Sequence, residues 1–426
     1  MEDFRIALLG LGNVGTAVAE LLASTQDACL ARAGRRVVVD RIVVRDLTRP
    51  RAIPENLPGK KQMGTDPLEA VHDPEIDAIV ELVGGENHPR IWIREALESG
   101  KEVITANKAV LAVHGEELFN LAHEKQRGLY YEASVAAAVP VLQVMQQGIP
   151  AGPVDRLFGI LNGTCNFILD QLEMHSFEEA LKNAQEAGLA EADPTLDITG
   201  MDSAHKLILL ARILLGHTVP VDELRVEGIE NIDPLDISFG WSQDLKLKLV
   251  GILERNGRGT CMGVMPCFIP AQHRLANVRN EDNAILLEAD PFGSLVLQGK
   301  GAGGKPTAGS VVADILRAAR GDSSSTPPAG KETVILDPGM RPARHYLRLE
   351  VPDRPGVLAR VAGALASEEV GIAALEQSEN LSEVHDSVPV QILTHPVQTP
   401  QLDRALGQLD EDLRDISSPV RIRIEE

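Results

Sequence analysis

The residues best suited to chemistry are two lysines and a group of carboxylates. Between Gly188 and Lys206 the chain places Glu191, Asp193, Asp197 and Asp202 ahead of a single lysine, and the segment ends on an apolar helical pattern. Asp202 and Lys206 are four residues apart, so on a helix they share a face. Carboxylates can hold a substrate ammonium group through charge-assisted hydrogen bonds. A lysine beside a carbonyl oxygen can stabilise the alkoxide that hydride delivery to an aldehyde creates, and can supply its proton. Spacing alone favours an exposed salt bridge, which contributes little, and only the longer motif around it reverses that balance. The second lysine, Lys108, follows Thr105-Ala-Asn at the end of an apolar run. That is where ligands sit in an open parallel sheet.

A nucleotide-binding element stands at the other end of the chain. Phe4–Leu9 is a short apolar run that passes into Gly10-Leu-Gly-Asn-Val-Gly15 and then a helical stretch. In this context Gly10 permits the tight turn, Gly12 lets the backbone approach a pyrophosphate, and Gly15 lets helix and strand pack closely. The helix N-terminus would face the phosphates. The next β-branched run, Val37–Val44, ends in Arg45-Asp46. Arg45 suits a 2′-phosphate, which favours NADP(H), while Asp46 suits a free ribose, so NAD(H) stays open.

These residues need a scaffold, and the spacing of elements supplies one. Apolar runs at Asp77–Val83 and Glu102–Thr105 alternate with helical patterns at Trp92–Ser99 and Glu116–Gln126. That alternation predicts an α/β doubly wound parallel sheet over residues 1–130. From 131 to 303 the pattern changes to α+β, with strands expected at Asp155–Leu161, Thr260–Pro266, Ala284–Ala289 and Ser294–Lys300. Residues 304–320 form a helix expected to return to the first domain. Thr199-x-x-Asp202 resembles a capping box at the start of the Lys206 helix. Residues 321–344, rich in Ser, Pro and Gly, read as a linker. The segment 345–426 follows a β-α-β-β-α-β order, a ferredoxin-like module.

Composition narrows the functional classes. A chain of 426 residues with 44% hydrophobic and 24% charged residues is long enough for two or three domains. A net charge of −21 argues against nucleic acid or an anionic membrane as partner. No apolar run is long enough to span a bilayer, and the N-terminus enters a strand without a signal-peptide pattern. Cys29, Cys165, Cys261 and Cys267 form no C-x-x-C pair and read as reduced thiols of a cytoplasmic protein.

Several segments, taken in order, resemble homoserine dehydrogenase. They are Gly10–Gly15, Thr105–Lys108, Tyr131-Glu-Ala-Ser-Val135 through Pro140, Gly159-Ile-Leu-Asn-Gly-Thr-Cys-Asn166, Gly188–Lys206, and Gly301-Ala-Gly303 with Pro306-Thr-Ala308. The C-terminal module, with Val351-Pro-Asp-Arg-Pro-Gly-Val-Leu358, resembles an ACT domain. The resemblance implies NAD(P)-dependent interconversion of L-homoserine and L-aspartate 4-semialdehyde. It implies Lys206 as proton donor, Lys108 polarising the same oxygen and touching the cofactor, and Glu191, Asp197 and Asp202 lining the substrate site. It implies cofactor contacts at Gly10, Gly12, Asn13, Val14, Gly15, Arg45, Thr105, Lys108 and Gly303. It further implies sodium or another monovalent cation at Glu132 and the carbonyls of Val135, Ala137 and Val139. An amino-acid effector such as threonine at the ACT module, and a homodimer or homotetramer, complete the expectation.

The chain departs from the family where glycines are common, carrying Ala136-Ala-Ala138, and it has His205 in place of arginine and Cys165 in place of threonine. Two rival readings are another amino-acid dehydrogenase of similar build and a non-catalytic NADP- and amino-acid-sensing protein. Substrate profiling separates the first. The presence of both Lys108 and Lys206 argues against the second.

Overall fold

Six short runs pair in parallel, the central ones largely apolar and buried on both faces, and each is joined to the next by a helix or a longer crossover. In chain order they are β1 (Phe4–Leu9), β2 (Val37–Val43), β3 (Gln62–Gly64), β4 (Ala78–Glu81), β5 (Glu102–Thr105) and β6 (Leu129–Tyr130), arranged β3-β2-β1-β4-β5-β6. The strand order reverses between β1 and β4, which places a crevice at their carboxyl ends. The computed structural model describes residues 2–148, 154–290, 293–322, 333–377, 387–409 and 419–425. The chain forms two compact units.

The first unit holds residues 1–163, 202–223 and 281–333. The helix Asn13–Ser24 follows β1, and the helix Gly304–Arg320 lies with it over the sheet. Val311, Ile315 and Leu316 join Val18, Leu22, Ile6 and Val39 in one core. This unit also contains an antiparallel ladder of Val154–Ile160, Asp282–Ala289 and Gly293–Lys300. Most of the helix Met201–Leu215, from Asp202 onward, belongs here, so spatial grouping departs from the chain-order boundaries read from the sequence.

The second unit holds residues 164–201, 224–280 and 334–426. Its spine is an antiparallel pair, Leu245–Asn256 with Gly259–Pro270. Asn256 Oδ1 accepts from the amides of Arg258 and Gly259 and closes the turn. Only part of the second strand was expected from the sequence. Yet Asn256-Gly257 between apolar runs is a strong hairpin signal.

The C-terminal module has strands His345–Pro352, Ile372–Gln377, Ser387–Thr394 and Val420–Ile424 with helices Val357–Ser367 and Thr399–Gly407. This is the β-α-β-β-α-β order anticipated. Val420–Ile424 pairs with His345–Pro352 and, through Cys267 and Phe268, in parallel with the long hairpin.

The segment expected as a linker is partly structured. Ile335–Leu336 pairs with Thr260–Cys261, while residues 323–332 lie outside the described residues.

Candidate functional site

A cleft of about 1060 Å³ opens at the carboxyl ends of β1, β2 and β4. Its floor is the glycine loop. Gly10 has a φ of +99°, and a Cβ there would fall 2.9 Å from the Leu82 carbonyl oxygen. A Cβ on Gly15 would fall 2.2 Å from the Gly10 carbonyl oxygen, whereas one on Gly12 would meet nothing within 4 Å. Gly10 and Gly15 are therefore required by the fold, and Gly12 keeps open space beside the backbone, as a bound pyrophosphate needs. The helix Asn13–Ser24 starts at Gly12 with no side-chain cap, so its first amides are not consumed locally.

Arg45 lines this cleft together with Asn13, Arg49 and Arg51. Asp46 Oδ1 accepts from the Thr48 amide and hydroxyl at 2.8 and 2.7 Å. Those bonds hold its carboxyl below the usual range and engage it in its own turn. Arg49 and Arg51 were missed in the sequence, although their clustering after Arg45 was visible there. His88 and Trp92, stacked with ring centroids 6.0 Å apart, line the same cleft.

Other residues expected at the cofactor are not among those lining the cleft. Thr105 is fully buried and its hydroxyl donates to Glu81 at 2.7 Å. Val14 packs against the sheet core. Gly303, with a φ of +113°, caps the helix Gly304–Arg320, and a Cβ on Gly304 would lie 3.2 Å from the Asn13 carbonyl oxygen. This places the Gly303 turn beside the glycine loop.

The lysine–carboxylate group is a three-way junction around the buried carboxylate of Asp202. Asp202 Oδ2 accepts from Lys206 Nζ at 2.6 Å and from Asn162 Nδ2 at 2.8 Å, and Oδ1 pairs with Lys108 Nζ at 3.1 Å. Lys206 Nζ also donates to the Leu161 carbonyl at 2.7 Å. Asp202 and Lys206 are only 7% and 8% exposed, so the surface salt bridge allowed by spacing is excluded. Burial alone would raise the Asp202 pKa. The charges of Lys206 and Lys108, with the Asn162 hydrogen bond, outweigh it and hold the carboxyl well below the ordinary range.

Lys108 is the first residue of the helix Lys108–Lys125, whose N-cap Asn107 accepts from the Val110 amide. His205 is half-buried, and burial lowers its pKa. The expected capping box is corrected by the structure. The Thr199 hydroxyl donates to the Thr195 carbonyl instead, and Gly200 turns the chain at a φ of +83° before the helix begins at Met201.

Glu132 opens a short 3-10 turn, Glu132–Ser134, and is 1% exposed. Its two carboxylate oxygens accept from the amides of Leu142 and Gln143, and its own amide donates to Asp314 at 2.8 Å. Burial, and then the Asp314 charge, push the Glu132 pKa up to about 8, and burial raises Asp314 to about 6. Val135, Ala137 and Val139 follow in a buried loop. The Ala137 carbonyl accepts from Ser310 Oγ at 2.5 Å and the Val139 carbonyl from the Val141 amide at 2.8 Å. Ala136 and Ala137 have φ values of 52° and 38°, a region that suits glycine. Among the described residues no group of three or more His, Cys, Asp or Glu could hold a metal ion. A cation here would rest largely on carbonyls, the donor type that suits a hard ion.

Glu191 and Asp197 belong to the second unit. Glu191 is exposed, and its carbonyl accepts from Gln185 Nε2. Asp197 is half-buried in the turn Thr195–Ile198, and its carbonyl accepts from the Cys165 thiol at 3.1 Å. Asp193 Oδ1 accepts from the Thr195 amide and hydroxyl, so it caps that turn. Cys165 is buried, as a packing residue should be. No helix among the described residues is long and apolar enough to cross a membrane.

Comparison with known proteins identifies what this geometry resembles. Residues 10–132 match the family model for the homoserine dehydrogenase NAD binding domain, residues 140–316 the homoserine dehydrogenase model, and residues 345–413 the ACT domain. The homoserine dehydrogenase of Pseudomonas aeruginosa is 36% identical, with both chains covered at 100%. That of Bacillus subtilis is 33% identical, with 99% of each covered. The crystal structure of a homoserine dehydrogenase from Thiobacillus denitrificans superposes with a TM-score of 0.89 at 34% identity, covering 100% of this chain and 99% of the other.

Proposed function

The chain belongs to the homoserine dehydrogenase family, and from that premise we propose how its own residues divide the family's reaction. It is an NAD(P)-dependent oxidoreductase that interconverts L-aspartate 4-semialdehyde and L-homoserine. When bound, the nicotinamide supplies or accepts the hydride.

Lys206 gives a proton from Nζ to the aldehyde oxygen as that oxygen becomes an alkoxide, and takes it back in the oxidative direction. The observation that carries this reading is the Asp202 junction. An ammonium has three N–H donors. Asp202 and the Leu161 carbonyl take two of them, which aims the third. Lys108, held by the other Asp202 oxygen, adds positive charge beside the oxygen where charge develops. Glu191 and Asp197 bind the amino-acid end of the substrate, with Glu191 on the ammonium group.

Gly10, Gly12, Asn13, Val14 and Gly15 hold the pyrophosphate turn, with Lys108 and Gly303 completing the surround and the buried Thr105 supporting it from behind. Arg45, with Arg49 and Arg51 in the same cleft, favours a 2′-phosphate and hence NADP(H), with NAD(H) as the weaker partner. Sodium or another monovalent cation sits at Glu132 and the carbonyls of Val135, Ala137 and Val139, offsetting the buried Glu132–Asp314 pair. Threonine, an amino-acid end product, binds the cleft of about 330 Å³ formed by Val351–Leu358 and Gln377. The protein works in the cytoplasm as a homodimer or homotetramer. The strand Gly293–Lys300, which ends its ladder, is an edge that association would cover.

The test is homoserine-dependent reduction of NADP⁺ and of NAD⁺ by purified protein, repeated with Arg45→Ala. Activity should be present, and Arg45→Ala should weaken NADP⁺ use about tenfold or more while sparing NAD⁺, the scale of a lost charge-assisted contact. No homoserine oxidation with either cofactor would refute the proposal.

A further inference from the structure

Glu81 is the last residue of β4 and is 0% exposed, yet the proton-transfer scheme gives it no task. Its carboxylate is a node. Oε1 accepts from the amides of Val83 and Gly84 at 2.7 and 3.2 Å, and Oε2 accepts from the Thr105 hydroxyl at 2.7 Å. Thr105 lies directly opposite on the parallel strand β5. Its hydroxyl oxygen accepts from the Asn107 amide at 3.0 Å. The Asn107 side chain donates to the Gly85 carbonyl at 2.7 Å and caps the helix that begins with Lys108.

The loop Val83–Gly85 is the wall of the dinucleotide cleft. Gly84 and Gly85 both have φ values near +80°, and a Cβ on either would meet nothing within 4 Å, so no side-chain packing fixes that wall. Fixing it falls to the buried network.

We propose that Glu81 is a positioning residue for hydride transfer, its carboxylate locking the Val83–Gly85 wall of the cofactor cleft and, through Thr105 and Asn107, the helix start that carries Lys108 into one frame. A buried acid here is costly, and burial raises its pKa. A residue serving only the core would be apolar. One carboxylate that accepts from two amides of the wall and from the hydroxyl at the end of β5 is the arrangement that holds a glycine wall at fixed distance from a lysine. The Lys108 half of this inference rests on the function proposed above, whereas the cofactor half does not.

The experiment compares Glu81→Gln, Thr105→Val and Thr105→Ser in the full-length protein. It reads NADPH dissociation by nicotinamide fluorescence, kcat, the KM for homoserine, and the melting temperature. Glu81→Gln keeps the volume but places an amide donor where the Thr105 hydroxyl now donates, reversing that link. NADPH dissociation should weaken about tenfold and kcat should fall about tenfold, with the homoserine KM within about twofold, the scale of one misdirected buried hydrogen bond. Thr105→Val should behave alike, and Thr105→Ser, which keeps the hydroxyl, should restore most of the loss.

Unchanged NADPH affinity and kcat in Glu81→Gln and Thr105→Val, whatever their melting temperature, would overturn the proposal. So would Thr105→Ser as impaired as Thr105→Val. If Glu81→Gln does not fold, the Thr105 pair decides. An active Lys206→Met enzyme would sink the proton-donor reading and leave the NADPH measurement on Glu81→Gln standing by itself.

Discussion

Replacing Asp202 with asparagine should expose how much the lysine junction depends on one charge. Asp202 carries three partners, and its pair with Lys206 is buried. Removing one member of a buried ion pair typically costs about 3–5 kcal/mol because the other charge is left uncompensated. Lys206 keeps the Leu161 carbonyl, and the Lys108 side chain is 39% exposed, so its pairing adds little. We therefore expect Asp202→Asn to cost about 3 kcal/mol near neutral pH, the low end of that range.

Lys206→Met removes the other charge but leaves an apolar stem. The Leu161 carbonyl retains the Asn283 amide donor at 2.8 Å. The double variant should therefore recover about 2 kcal/mol of the Asp202→Asn loss, as a coupled pair does. Because the folded carboxyl sits below its usual range, its stabilising effect is present above about pH 4 and fades as pH falls through the folded value. The Asp202→Asn penalty should thus be flat from neutrality to mild acid and shrink below that. Urea unfolding, with hydrogen exchange across Met201–Leu215, measures both. A penalty below about 1 kcal/mol, or a double variant no better than the single, would refute the buried-junction account.

Two further outcomes follow from strain and burial. Replacing Ala136 and Ala137 with glycine should stabilise the protein by about 0.5 kcal/mol each, the left-handed relief less the added chain entropy, and raise the melting midpoint by roughly 2 °C together; an unchanged or lower midpoint contradicts the strain. His345 is fully buried, and burial, reinforced by Arg423 and Arg421, lowers its pKa from 6.5 to about 3. The native state therefore refuses a proton that the unfolded chain accepts. The stability is full above about pH 6.5, drops by about 2 kcal/mol by pH 5, and keeps falling toward pH 3. Urea midpoints at pH 7 and 5 should differ in the natural protein and differ much less in His345→Gln; equal differences in the two would contradict this.

What was legible in the sequence depended on how local each constraint is. The glycine loop was readable because all its requirements lie within Gly10–Gly15, and the place of Arg45 in the cleft because it lies two residues past the end of the next strand. The order of the C-terminal module was readable for the same reason.

Burial of Asp202 was not, since four-residue spacing is the same whether a helix face meets solvent or the Leu161 carbonyl and the Asn162 side chain. The Glu81–Thr105 link depends on β4 and β5 lying in register, a pairing the sequence does not display. Thr199 looked like a helix cap, but a cap also needs the backbone to enter the helix there, and Gly200 turns it elsewhere. The strand Leu245–Asn256 was missed although its turn residues announced it. His345 gives no sequence signal of burial beyond its place at the start of an apolar strand.

The central claim is that Lys206, aimed by Asp202, carries the proton. Single-turnover reduction of L-aspartate 4-semialdehyde by Lys206→Met, with NADPH affinity measured on the same sample, tests it most directly. The account predicts a rate lower by about 10²–10⁴, the span of general acid catalysis, with NADPH affinity unchanged. A rate within about tenfold of the natural enzyme, below that span, at undiminished NADPH binding would contradict it.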